Sequence, residues 1–573
     1  MANPYQETLP HIHDVIIIGA GPCGLAVAAR LREKAPGAIF TDEEHRRHRF
    51  LHRYGRSMPL KQVRNGRITC CSRQTTSDPQ DLDIIAFDAT HEDWCGRWNT
   101  LFKCYNIEHL RSPMFWHVSP ADRDALLGYA YAQSRENELL EIHHCVGKEV
   151  SKHMRKRSRT QRCSAHSACN ARVEINERDR IDYFNPSQAL FSDHCRSVAD
   201  RYHLCNGTVQ KESVQDISFD VIKGISVNDE PLFTVVTDQG PRYARAVVLA
   251  VGPANQPSIP RDAFKDFPTS ASLPQACHST QIETFPDPIV QTKIASGQNT
   301  NVLVIGGGLT SAQLSDLAVR KGVTKVWHLM RSPISIKTFD VELSWMSKYR
   351  NLEQAYFYSA DTDEERLQMV KAARGGGSIP PRYHKKLKEH ISRGRLELRT
   401  ETKLVDAKFN MAESGWEVQT EPPISHMPCF DWIYFATGIE TDVASLPYLQ
   451  TMREAHPIKE MGGLPCLTEQ LMWKDDVPLF VTGKLASLRL GAAGPNLGGA
   501  RTGAERIALA IQEHFDERKR EGKISEDIAL GGGGGGGDEN DWERQQVLEW
   551  LEEKNGNDGT IPWAHKGLAV TKA

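Results

Sequence analysis

The sequence predicts an α/β protein that contains two Rossmann-like, three-layer dinucleotide-binding units. Three observations lead to this prediction. Two short runs rich in valine and isoleucine, residues 14–18 and 301–305, have the composition of buried parallel strands. Each run is followed at once by a glycine-rich turn. Each turn is followed in turn by a stretch with the composition of a helix, which is the strand–turn–helix order of a dinucleotide-binding unit.

The first glycine turn carries Gly19, Gly21 and Gly24, in the spacing G-x-G-x-x-G. A helix N-terminus offers unpaired N–H groups and the positive end of the helix dipole, which suit a pyrophosphate. The next predicted strand ends at Asp42 and Glu43, and an acidic side chain about twenty residues after such a turn accepts hydrogen bonds from a ribose diol. Asp42 is the first choice and Glu43 the second. The first unit is therefore predicted to bind a dinucleotide with an unphosphorylated ribose, as in FAD.

The second glycine turn carries Gly306, Gly308 and Ser311. Its following strand, residues 325–332, contains no carboxylate at its end and has Arg331 there instead. A guanidinium suits a ribose 2′-phosphate, so this unit is predicted to prefer NADPH. The alternative, that Arg331 and the acidic pair of the first unit are merely solvated charges at strand ends, stays open.

The remaining elements follow from local patterns. Ser187 is a predicted N-cap, and residues 268–298 are predicted as a linker. The other predicted helices and strands occupy residues 25–34, 82–87, 122–132, 188–202, 214–222, 232–237, 246–251, 309–321 and 478–482. The FAD-binding domain is predicted in two parts, 12–260 with a flexible basic insertion at 148–180, and a closing part at 446–515. Between them lies a predicted NADPH-binding domain at 299–445, with a helical, substrate-facing insertion at 339–393. A flexible tail is predicted at 517–573.

The composition limits the classes of partner. The chain has 573 residues and a formal net charge of −3, which gives no indication of nucleic acid or an anionic membrane as partner. The apolar stretch 15–28 is too short to span a bilayer. Thirteen cysteines lack regular spacing and form no C-x-x-C pair, which favours a cytoplasmic protein with reduced thiols and counts against a disulfide reductase. Cys163, His166 and Cys169 have an unusual spacing for metal ligands, so no metal site is predicted.

Three further segments carry a resemblance to a known family. Residues 431–438 read D-x3-F-A-T-G, residues 249–252 look like a degenerate copy of the same turn, and residues 491–501 form a glycine-rich closing segment. On these residues the chain resembles the two-dinucleotide flavin-dependent monooxygenases, nearest to the branch that N-hydroxylates ornithine and lysine. It is also similar to the oxidative-stress-induced growth inhibitor proteins. Two features depart from the family: Ile439 replaces the usual tyrosine, and the Baeyer–Villiger fingerprint is reduced to His278.

The resemblance implies a reaction and further cofactor contacts. In that family NADPH passes hydride to FAD, and the reduced flavin activates molecular oxygen as a C4a-peroxyflavin that oxygenates a small molecule. N-hydroxylation of an amine is the expected reaction. Another flavin oxidoreductase, such as an NADPH oxidase or a Baeyer–Villiger enzyme, and a non-catalytic regulator with the same fold remain alternatives. The substrate and the oligomeric state stay open. The additional expected cofactor contacts are Trp98, for which core packing is an equal alternative, and Thr437, Gly438, Gly494, Asn496 and Leu497.

Overall fold

The structure, a computed structural model, covers most of the chain between the N-terminal strand and the long C-terminal helix. It describes residues 10–34, 36–37, 59–61, 68–70, 82–142, 180, 182–205, 207–252, 257–268, 272–346 and 350–530. Asp42, Glu43, the metal-ligand candidates at 163–169 and nearly all of the predicted insertion 148–180 lie outside the described residues, as does the tail after residue 530. No described helix has both the length and the apolar composition that crossing a membrane requires.

The secondary structure alternates strands and helices along the chain. The strands are β1 Ile12–Ile18, β2 Pro59–Lys61, β3 Ile68–Cys70, β4 Ile84–Asp88, β5 Leu139–Leu140, β6 Asn185–Pro186, β7 Val209–Lys211, β8 Val214–Asp220, β9 Leu232–Thr237, β10 Gly240–Leu249, β11 Ala276–His278, β12 Asn301–Ile305, β13 Lys325–Leu329, β14 Leu396–Arg399, β15 Lys403–Asn410, β16 Gly415–Glu421, β17 Trp432–Phe435, β18 Glu460–Met461, β19 Leu464–Pro465, β20 Met472–Lys474 and β21 Val477–Val481. The α-helices are α1 Pro22–Arg32, α2 Gly96–Cys104, α3 Ala125–Ala132, α4 Gln188–Arg201, α5 Pro288–Ala295, α6 Leu309–Arg320, α7 Arg350–Tyr358, α8 Asp363–Arg374, α9 Pro381–Ser392, α10 Gln450–Ala455, α11 Ser487–Leu490 and α12 Leu497–Leu530.

The first sheet has β1 at its centre. Strand β1 pairs in parallel with β10 on one side and with β4 on the other, and β10 pairs in parallel with β21. Val15, Ile16 and Ile17 are fully buried. Burial of each such side chain contributes about 1.5–3 kcal/mol, so this strand is a firm support for the turn that follows it. The eight-stranded sheet is completed by β7, β8, β9 and β20.

The second sheet is purely parallel in the order β11-β17-β12-β13-β14. Alternate side chains of a strand point to opposite faces. Val302 and Val304 of β12 therefore belong to a buried cluster with helices α5, α6 and α9, whereas Leu303 belongs to a cluster with Trp416 of the β15–β16 hairpin. Helices, sheet and hairpin form three layers, which confirms the predicted three-layer α/β architecture.

Most predicted elements agree with the structure, and one prediction is wrong. Ser187 caps α4 by accepting a hydrogen bond from the Leu190 N–H. The segment 268–298, predicted as a linker, contains the parallel strand β11 and the helix α5, which Asp287 caps. The prediction failed because β11 has only three residues and pairs with β17, which is remote in sequence. Both sheets belong to one compact unit, Met1–Ile511, separate from Gln512–Ala573, so the domain boundaries stay predictions.

Candidate functional site

The first glycine turn joins β1 to α1, and its three glycines have three different surroundings. A Cβ on Gly19, whose φ is +108°, would lie 2.5 Å from the carbonyl oxygen of Ala250. A Cβ on Gly24 would lie 2.2 Å from the Gly19 oxygen. A Cβ on Gly21 would meet no protein atom within 4 Å. Gly19 and Gly24 are thus required by the protein itself, whereas Gly21, the N-cap of α1, faces the open space where a pyrophosphate can approach.

The second glycine turn joins β12 to α6 and differs in one respect: Gly308 is the counterpart of Gly21, and a Cβ there would lie 3.8 Å from the Gly377 Cα, whereas the open position is Gly307. A Cβ on Gly306, whose φ is +154°, would lie 2.3 Å from the Ala436 oxygen, and a Cβ on Gly307 would meet nothing within 4 Å. Gly308 is the N-cap of α6. Ser311 is fully buried and its hydroxyl donates to the Gly308 oxygen at 2.7 Å. Ser311 therefore occupies the position of the third glycine of the first unit and closes the turn internally.

Each glycine turn is hydrogen-bonded to the turn that follows a neighbouring strand, at Ala250 in the first sheet and at Ala436 in the second. The Ala250 N–H donates to the Ile18 oxygen at 2.8 Å, and the Ala436 N–H donates to the Ile305 oxygen at 2.8 Å. Two residues after each alanine, Gly252 and Gly438 have φ values of +55° and +87° and open space at the Cβ position. Residues 249–252 and 436–438, which are similar in sequence, therefore also occupy corresponding positions in the two units.

The two units meet through the second of these turns. Thr437 donates its hydroxyl to the Ser258 oxygen, and the Ser258 N–H donates to the Gly438 oxygen at 3.0 Å. Pro257 and Ile439 form an isolated antiparallel bridge beside them. Ser258 follows β10 of the first sheet in sequence, so these contacts fix the chain that leaves β10 against the turn after β17 of the second sheet. The Thr437 side chain is used for this connection.

His328 forms a hydrogen bond with the backbone of the second glycine turn, a contact that the sequence did not predict. Its Nε2 lies 2.8 Å from the Gly306 oxygen and its Nδ1 lies 3.2 Å from the Ser315 hydroxyl. Because His328 is fully buried, desolvation lowers its pKa to about 4, so the ring is neutral, donates from Nε2 to the carbonyl and accepts at Nδ1. The available signal was a polar residue inside an otherwise apolar strand.

Residues 374–378 contact both the closing segment and the second glycine turn. Arg374 donates to the Ala492 oxygen and to the Asn496 side-chain oxygen, both at 3.0 Å, and forms an ion pair with Asp340 at 2.9 Å. Asn496 in turn donates to Asp340 at 2.8 Å, which closes a three-membered network. Three residues further on, a Cβ on Gly377 would lie 3.1 Å from the carbonyl carbon of Gly307. One short segment therefore connects the two candidate nucleotide sites.

Arg111 holds the far end of the same segment. Its guanidinium donates to the carbonyl oxygens of Lys337 at 2.8 Å and of Thr338 and Ser378 at 3.1 Å. Burial lowers the pKa of Arg111 to about 10, and the nearby Arg374 acts in the same direction. The guanidinium remains charged at neutral pH and serves as a multi-point anchor for two loops. Sequence reasoning did not assign this role because all of its partners are remote backbone atoms.

Three predicted contact residues, Trp98, Gly494 and Leu497, are packed within the protein. Trp98 packs edge-to-face against Phe102 and Phe191, with ring centroids 4.8 and 5.1 Å apart, which is the packing alternative. Gly494 and Leu497 are buried, and Leu497 is the first residue of α12. Gly494 has no side chain and that of Leu497 is buried, so a cofactor would meet these two residues mainly through their backbone.

Three cationic side chains have nitrogens that lack a hydrogen-bond partner among the described residues. Arg331 is exposed just after β13, and Lys484 is partly buried just after β21; neither makes a hydrogen bond or ion pair with any residue in the described ranges. Burial lowers the pKa of Lys484, and Arg374 lowers it further. Arg501 is buried in α12, and its Nε and Nη2 have no partner among the described residues. These groups are suited to bind anions.

Comparisons with known proteins identify the fold. No protein-family model matches the chain, and no curated protein matches it. The structure is similar to ornithine hydroxylase from Pseudomonas aeruginosa (15% identity, TM-score 0.56, covering 88% of this chain and 100% of that one). It is also similar to an ornithine N-hydroxylase from Kutzneria sp. 744 with reduced FAD, NADP⁺ and L-ornithine (15%, 0.56, 88% and 100%) and to L-lysine 6-monooxygenase from Pseudomonas syringae (17%, 0.52, 87% and 99%). The chain therefore has the two-sheet α/β fold of the flavin-dependent N-hydroxylating monooxygenases.

Proposed function

We propose that this protein is an NADPH-dependent FAD monooxygenase that hydroxylates the nitrogen of a small amine. One observation carries the proposal: each of two glycine turns follows a strand with parallel neighbours on both sides, in two sheets of one compact unit, and each turn has a glycine that faces open space. Two dinucleotide sites in one unit fit a protein that passes hydride from one nucleotide to the other. The fold shared with the ornithine and lysine hydroxylases supports the choice of reaction.

The first unit fits FAD. Gly21 leaves room for a diphosphate against the first turn of α1, while Gly19 and Gly24 shape the turn. Pro22 stands at the first helical position, where the backbone N–H would otherwise be unpaired. The acidic residues Asp42 and Glu43 remain the proposed ribose ligands.

The second unit fits NADPH. Gly307 faces open space at the start of α6, and His328 holds the turn in place through the Gly306 oxygen. Arg331 follows the neighbouring strand β13 and has no partner among the described residues, so its guanidinium is free to pair with a 2′-phosphate. Gly377 lies against the same turn and limits how far a bound pyrophosphate can extend on that side.

The residues around the closing segment support oxygenation of a neutral amine. Bound FAD, once reduced by NADPH, supplies the oxygen-activating chemistry. Trp116 and Trp345 are buried against Gly498 and Gly491, where a Cβ would lie 2.7 and 2.9 Å from their rings, so they exclude water from this segment. The cation of Lys484, just after β21, disfavours a second positive charge nearby and so favours an unprotonated amine.

The test is a set of measurements on the purified full chain. Its absorbance spectrum reports flavin, anaerobic NADPH addition reports reduction, and product mass after exposure to oxygen across a panel of amines, thioethers and ketones reports the reaction. We expect one added oxygen atom on an amine and one oxygen consumed per product. Conversion of ketones alone into esters would replace the proposal with Baeyer–Villiger chemistry. Peroxide release with every compound would indicate an oxidase, and absence of flavin would favour a non-catalytic regulator.

A further inference from the structure

We propose that His11, His13 and Asp83 form a binding site for a divalent transition-metal ion, with Zn²⁺ as the probe. The site lies at the amino end of the first sheet and is independent of the proposed function. The sequence predicted no metal site, because Asp83 lies 70 residues after His13 and the three residues show no ligand motif. The strands bring them together.

The three side chains converge on one point. The Nε2 of His11 and the Nδ1 of His13 lie 2.6 and 2.8 Å from the same Asp83 carboxylate oxygen, Oδ2. One possible ligand atom from each residue lies within 4.8 Å of the others. His11 immediately precedes β1 and His13 is its second residue, and in extended chain side chains two positions apart share one face. Ligand atoms around a tetrahedral zinc ion bond it at about 2.0–2.2 Å, so a small outward shift of each side chain would admit the ion.

The backbone that carries these ligands is already fixed. The Asp83 N–H donates to the Asp14 carboxylate at 2.9 Å, and the Asp83 carbonyl oxygen accepts from the N–H groups of Asp14 and Val15, both at 3.1 Å. Residue 83 immediately precedes β4, which pairs with β1. The backbone at Asp83 and at His13, which is in register with Ala244 of β10, is therefore set before the ion binds, and this reduces the entropy lost on binding.

The surroundings leave the site both accessible and electrostatically acceptable. The side chain of His11 is 71% exposed and that of Asp83 is 43% exposed, so water can complete the coordination. Two arginines stand near, but Arg242 is paired with Glu212 at 2.6 Å and Arg245 with Asp14 at 2.8 Å. Two imidazoles and one carboxylate are a ligand set that zinc and its neighbours in the first transition row accept.

The ion would stabilise the pairing of β1 with β4 and would take no part in nucleotide chemistry. His13 and Gly19 lie toward opposite ends of β1, six residues or about 20 Å apart at the rise of a strand. Binding at the start of β1 and before β4 would hold these two strands together where the chain enters the sheet. We therefore expect zinc to raise the melting temperature without changing the flavin content.

The experiment measures zinc binding to the full chain by competition with a coloured chelator, and cobalt binding by visible absorption. We expect His11→Gln, His13→Gln and Asp83→Asn each to weaken zinc binding by about tenfold or more, and to remove the zinc-dependent rise in melting temperature. His426→Gln, which changes an exposed histidine outside the site, is the control for the other histidines. Equal zinc affinity in the wild type and in all three variants would overturn the proposal. His11→Gln alters the most exposed of the three ligands and keeps the test valid if one of the other two variants fails to fold.

Discussion

The substitutions Gly21→Ala and Gly24→Ala separate cofactor binding from folding within one turn. At position 21 the new methyl group meets no protein atom within 4 Å, and φ is −77°, which alanine adopts freely. At position 24 the methyl group would lie 2.2 Å from the Gly19 oxygen. Gly21→Ala should therefore leave the apoprotein folded but obstruct the pyrophosphate, whereas Gly24→Ala should destabilise the protein itself.

The magnitudes follow from the groups affected. Loss of one hydrogen bond to a charged phosphate costs about 1.5–3 kcal/mol, which weakens FAD binding roughly ten- to a hundredfold. The N-cap exchange at position 21 should change the free energy of unfolding of the apoprotein by less than about 1 kcal/mol. The assay is FAD titration of apoprotein together with urea unfolding, and Gly128→Ala, whose methyl group also meets nothing within 4 Å, is the matched control. Full flavin content and unchanged FAD affinity in Gly21→Ala would refute the assignment of the first unit.

Three other predictions concern the second unit. Arg331→Ala should reduce the preference for NADPH over NADH by roughly ten- to a hundredfold, measured as the ratio of flavin reduction rates under limiting cofactor; equal use of both nucleotides by the wild type would remove Arg331 from this role. Gly377→Ala should weaken NADP⁺ binding but not FAD binding, because its methyl group would press 3.1 Å from Gly307; unchanged NADP⁺ affinity would contradict that contact. His328 is neutral in the folded protein with a pKa of about 4 but titrates near 6.5 when unfolded, so the stability it contributes is complete above pH 6.5 and is lost as the pH falls toward 4. Because this difference corresponds to about 3 kcal/mol, His328→Gln should flatten the pH dependence of unfolding by that order, and an unaltered profile would exclude the buried neutral ring.

Local patterns made much of the fold predictable. Gly19 and Gly306 follow β-branched runs and precede helices, so strand, turn and helix could be read from adjacent residues. Ser187 was recognised as a cap for the same reason, because the group it binds is only three residues away. Features whose cause lies within one turn of the chain are accessible to such reasoning.

The contacts that connect the units could not be read in this way. Arg111 binds carbonyl oxygens more than two hundred residues further on, and Arg374 contacts Asn496 in the closing segment. A backbone carbonyl acceptor cannot be recognised from the sequence, because every residue has a carbonyl group. Strand β11 was missed for a related reason: three residues are too few to show a period, and its stability depends on pairing with β17.

The most direct test of the proposed function is the fate of labelled oxygen in a single experiment. The purified protein is reduced with NADPH in the absence of air and then mixed with isotopically labelled oxygen and a panel of amines. The masses of the products are measured by mass spectrometry. We predict that NADPH bleaches a bound flavin and that one labelled oxygen atom appears on the nitrogen of an amine. A protein that carries flavin and is reduced by NADPH, but returns all labelled oxygen as peroxide with every amine, would contradict the proposal.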